Sequence, residues 1–124
     1  MLNHLRQRVI ETLSSAKAAT LSTHGAAGIQ ANVFPCEAID LILYLLVPRT
    51  SDHLFNLEQN PEVVVTTETW QVRGPARIAP GPPAGLALLQ QPDAAWCEVV
   101  VVHPQRLQIE RPGGSGHAET IDIG

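Results

Sequence analysis

Ala18-Ala19-Thr20-Leu21-Ser22-Thr23, broken by His24-Gly25-Ala26-Ala27-Gly28 and resumed from Ile29, is the stretch on which the reading of this chain turns. A short β-compatible run meets a break whose glycines can take the positive φ of a tight hairpin turn, and a second run follows. The pattern predicts two antiparallel strands, from Ala18 to Thr23 and from Ile29 to about Glu37. Pro35 removes one ladder donor and marks an edge or bulge in the second.

Upstream, Leu2, Leu5, Val9 and Leu13 recur at spacings of three and four with charged residues between them, which predicts an amphipathic helix lying on the strands. Downstream, Leu41 to Val47 reads as a strand buried on both faces, and Pro48 ends it. Thr50 or Ser51 then caps a short helix that stops at Asn60-Pro61. Glu62 to Thr67 and Gln71 to Ala79 form the next hairpin. Ala84 to Gln91 has helix-forming composition and predicts a third helix ended by Pro92. Trp96 to His103, with four consecutive valines, is the clearest strand, and Pro104-Gln105 turns it into a last strand, Arg106 to Glu110, in a closing hairpin. Residues 1–111 read as one domain, and 112–124, opening on Gly113-Gly114-Ser115-Gly116, as a flexible tail. Short strands with frequent turns argue for a sandwich or a barrel, and pattern alone does not choose between them.

The chain of 124 residues has room for one core. Apolar residues make up 44% of it and charged residues 16%, so a monomer would leave apolar surface uncovered and a homodimer is expected. The net charge of −4 and the scattered arginines disfavour nucleic acid. No apolar run approaches the roughly 20 residues of a membrane span, and the N-terminus lacks a signal-peptide core, which implies a cytoplasmic protein. Cys36 and Cys97 read as buried, reduced thiols. There is no phosphate loop, zinc-type histidine pair or Cys-x-x-Cys, and no metal is expected. Ser14-Ser15-Ala16-Lys17 contains a Ser-x-x-Lys string, but the companion motifs of acyl-serine enzymes are missing. His4, His24, His103 and His117 stand isolated and receive no role.

One ordered series stands out: Ala19-Thr20-Leu21-Ser22-Thr23, Gly28 and a strand, Leu43-Tyr44-Leu45, Pro48-Arg49-Thr50-Ser51, Asn56-Leu57-Glu58-Gln59-Asn60-Pro61, the valine-rich Glu62 to Thr66, then Trp70-Gln71-Val72-Arg73-Gly74-Pro75-Ala76. Over roughly residues 16 to 80 this series resembles the pyridoxamine 5'-phosphate oxidase-like FMN-binding split barrels. The resemblance implies a mainly β fold, a six- to seven-stranded antiparallel split β-barrel of Greek-key type with two or three short helices.

It also implies FMN between two subunits, its phosphate held by basic residues and the start of the short helix. Matching position by position nominates Arg49, the cap residues Thr50 and Ser51, and His53, which stands where relatives carry a lysine. Val33 and Phe34 lie on the strand whose backbone borders the isoalloxazine ring, Val47 falls at a flavin-contacting position, and Trp70 and Gln71 lie at another. Arg49, Ser51, His53 and Gln71 also fit ordinary polar surface around a helix cap, and Trp70 fits core or interface packing. With His53 at the phosphate, flavin affinity is expected to strengthen as pH falls through the histidine range, and His53→Lys to tighten it. No catalytic acid or base is nominated, which suits a flavin-dependent oxidoreductase. The alternatives are a non-catalytic or cofactor-free module, or a barrel that holds deazaflavin or haem. Pyridoxamine phosphate itself is not the expected substrate, because the longer C-terminal substrate segment of the true oxidases has no counterpart.

Overall fold

The computed structural model describes residues 2–110 and 119–124. Helix α1 (Asn3–Ser14) turns Val9 and Leu13 inward, as the three-and-four spacing predicts, and leaves Leu2 outside. Strands β1 (Ala18–Gly25) and β2 (Gly28–Ile39) form the expected hairpin. In β1 the odd positions Ala19, Leu21 and Thr23 are buried and the even ones face outward. Pro35 sits where β2 changes partner, its first part pairing with β1 and Cys36 to Ile39 pairing with β3 (Ile42–Pro48). A missing ladder donor is tolerable at such a switch.

Helix α2 (Asp52–Gln59) follows, capped by Ser51 as anticipated. Then come β4 (Glu62–Thr66), β5 (Trp70–Ile78), β6 (Cys97–Val102), β7 (Arg106–Ile109) and β8 (Glu119–Asp122). The strands lie in the order β4-β1-β2-β3-β6-β5, and β4 pairs back with β5, so six antiparallel strands close into a barrel. Leu21, Leu43, Leu45, Val65, Val72, Val100 and Leu107 fill the interior with Leu13 and Trp70.

Three expectations need correction. The third helix is absent: Ala84 to Gln91 holds only a 3₁₀ turn at Ala87–Gln90, with another at Ala94–Trp96. This segment packs Leu86 and Leu88 against Tyr44, Leu46, Val99 and Val101, covering the outer face of β3 and β6. Residues two apart would point to nearly opposite sides of an α-helix, so burying both excludes one. The closing hairpin also fails, since β6 and β7 do not pair with each other. β5 runs between them, Ala76–Ile78 on β6 and Trp70–Arg73 on β7. Finally, Glu119–Asp122, assigned to the tail, adds an eighth strand along β7, with Ile121 buried and Arg8 of α1 ion-paired to Glu119. The glycine-rich part of that tail, 113–116, lies outside the described residues. No helix among the described residues is long and apolar enough to cross a membrane.

Candidate functional site

The site is built where β3 ends and α2 begins. Pro48 stops the strand, the Ser51 N–H donates to Pro48 O at 3.0 Å, and Ser51 Oγ accepts the His53 N–H at 3.2 Å, so the first turn of α2 is capped by its own chain. Arg49 is held by its backbone N–H on Trp96 O at 3.0 Å. Its exposed guanidinium lies with Nε 3.4 Å from Glu98 Oε1, a surface pair that a ligand anion can displace at little cost. Thr50 is exposed and Ser51 half-buried.

His53 does not point into this turn. It is 1% exposed, with Nδ1 2.8 Å from Thr23 Oγ1 and Nε2 2.9 Å from Asn32 Oδ1, and Phe34 meets its ring edge-on at 5.3 Å. Burial pushes its pKa below the ordinary histidine value, against the opposing pull of Asp52. It is therefore a neutral residue joining β1, β2 and α2. So turned, its ring offers the cap no donor, and the pH dependence of flavin affinity drawn from a phosphate contact at position 53 loses its ground. Asn56, fully buried one turn further along α2, completes the network: its Oδ1 accepts the Ala27 N–H at 3.0 Å, and its Nδ2 donates to Gly28 O at 2.9 Å and Thr23 Oγ1 at 3.1 Å.

The other nominated residues separate. Val47 is wholly buried in the barrel and offers no side chain to a ligand. Val33, 67% exposed, opens a row across the outer face, Val33-Thr20-Thr66-Gln71, in which each residue is paired to the next on the neighbouring strand. Trp70 is buried, and its indole N–H is the one buried side-chain polar group among the described residues without a hydrogen-bond partner. Val33, Thr20, Thr66 and Trp70 contribute to an open depression of about 620 Å³. On the other flank of β2, Phe34, Pro35, Leu46, Pro48 and Trp96, with Gln91, Asp93 and Cys97, line a mainly apolar groove of about 300 Å³ beside Arg49, with Trp96 74% exposed. Sequence reasoning missed Asn32, Asn56 and Trp96. An asparagine inside a short helix, where its intrinsic propensity is poor, was the available sign of Asn56.

Cys36 and Cys97 are free thiols, and burial, opposed by Lys17, pushes Cys36 up to about 11. Among the described residues no three His, Cys, Asp or Glu side chains gather as a metal site would require.

The architecture is the split barrel of the pyridoxamine 5'-phosphate oxidase-like proteins, and comparison with solved structures places it there. General stress protein 26 of Bacillus anthracis superposes with a TM-score of 0.69 at 18% identity, covering 97% of this chain and 99% of that one. A protein of Clostridium acetobutylicum related to general stress protein 26, of the pyridoxinephosphate oxidase family, gives 0.71 at 14% identity, covering 95% and 96%. A haem-binding protein of Mycobacterium smegmatis gives 0.66 at 18% identity, covering 94% of this chain but 56% of its own length. At these identities the likeness is one of fold. No family model matches the sequence, and no curated protein matches it.

Proposed function

We propose that this chain works as a homodimer that holds FMN along β2, as a flavin-dependent oxidoreductase. The observation that carries the reading is the state of β2 in the single chain. Ile29, 85% exposed, and Val33 leave apolar surface uncovered on one face, and on the other Phe34 lines the groove whose Pro48 and Trp96 adjoin Arg49. A second subunit would cover the first and a flat heteroaromatic ring suits the second. Arg49, with the hydroxyls of Thr50 and Ser51, would hold the phosphate, and β2 with Phe34 would border the ring. Bound flavin would supply the hydride chemistry, and the protein's share is to position it and exclude water.

One observation favours a second reading, a split-barrel module without flavin. With His53 turned inward, Arg49 is the only cation among the nominated residues, and a dianionic phosphate usually draws more. The absorption spectrum of the purified protein, with quenching of added FMN fluorescence, separates the two. Flavin absorption that bleaches with a nicotinamide donor is the expected result. A colourless protein that leaves FMN fluorescence untouched would overturn it, and a Soret band on adding haemin, or binding of a deazaflavin in its place, would redirect it to another cofactor.

A further inference from the structure

The hydrogen-bond network beneath α2 has one direction that leaves no buried proton without a partner. Asn56 contacts a backbone N–H with one side-chain atom and a backbone carbonyl with the other, which fixes Oδ1 on Ala27 and Nδ2 on Gly28. Its second amide proton goes to Thr23 Oγ1; that oxygen could also accept from His53 Nδ1, but the proton of the buried Thr23 hydroxyl would then have no acceptor among the described residues, so it is assigned to His53 Nδ1. His53 then carries its proton on Nε2 and donates it to Asn32 Oδ1. Asn32, exposed on the same face of β2 as Phe34, is thus oriented with its oxygen inward and its amide protons without a partner among the described residues.

We propose that the Asn32 side-chain amide is the donor this surface offers to an acceptor oxygen of the bound cofactor, and that His53 is a positioning residue that turns it outward. The proposal rests on the flavin reading, and it supplies a neutral donor in place of the phosphate contact expected of position 53. The acceptor is a phosphate oxygen or a ring carbonyl.

In ¹⁵N-labelled protein the His53 ring should show the Nε2–H tautomer, and the Asn32 amide resonances should shift when FMN is added. N32D keeps an acceptor for His53 but presents oxygen outward, and should weaken FMN binding at least about 10-fold; N32A should weaken it about 5-fold. Riboflavin identifies the oxygen: an equal loss means a ring carbonyl, a loss for FMN alone means phosphate. H53F should weaken FMN without adding to the effect of N32A, which a merely structural role would not reproduce. An Nδ1–H tautomer, or unchanged FMN affinity in N32D, overturns the proposal and leaves the flavin reading standing. If the wild type does not quench FMN, the flavin reading falls. Inorganic phosphate then becomes the probe, and an Asn32 amide that ignores it overturns this assignment as well.

Discussion

Gly25 and Asn56 illustrate how closely the residues under α2 are fitted. A Cβ at position 25 would lie 2.9 Å from Asn56 Oδ1, so Gly25→Ala should displace the asparagine from Ala27 and lower the urea midpoint. Asn56→Ala leaves the Ala27 N–H and the Gly28 carbonyl without their partner, and about 2–3 kcal/mol of unfolding free energy should go with it. His53 couples the same network to pH. Its folded pKa lies below its unfolded value, so between the two the unfolded chain binds a proton that the folded one does not, and stability rises with pH across that window. Denaturation midpoints should therefore be level above the ordinary value of 6.5 and decline as pH falls below it, while H53F stays flatter. His53→Lys would bury an ammonium and should destabilise the protein instead of tightening phosphate. Matching the motif nominates position 53 from its neighbours in sequence, yet the direction of a side chain depends on Thr23 and Asn32, contributed by other strands. No local pattern shows that.

At the scale of elements, β5 is the strand on which the barrel depends, because its two ends pair with different neighbours. The connection from β6 to β7 crosses it at Gly74, where a Cβ would stand 2.1 Å from the backbone oxygen of His103. Backbone cannot yield as a flexible side chain can, so Gly74→Ala should cost several kcal/mol or leave the protein insoluble, as thermal melting and soluble yield would show. Strands and the capped helix were legible because β-branched runs, alternation and the Pro48–Ser51 stop signal act locally. β3 was even legible as doubly buried, from its unbroken apolar run. What covers its outer face was not, since Leu86 and Leu88 are set by Tyr44 and Val101 across the sheet, and helical propensity over 84–91 loses to that packing. The β6–β7 hairpin failed for a related reason, since adjacency in sequence says nothing of a third strand passing between.

For the whole molecule, the barrel accounts for the apolar content only in part, and the uncovered side of β2 is where a second copy is expected. Val33→Glu with Ile29→Glu should convert a dimer to a monomer in sedimentation velocity with little effect on the melting of the subunit, and flavin retention should fall with it. A dimer that survives both changes would place the contact elsewhere. Trp70 and Trp96 stand at opposite extremes, one sealed inside with its indole N–H unpartnered, the other on the rim of the groove beside Arg49. Their emission should therefore separate under iodide, Trp96 being quenched while Trp70 stays bright, so a single fluorescence sample carries one signal for the integrity of the interior and another for occupancy at the rim.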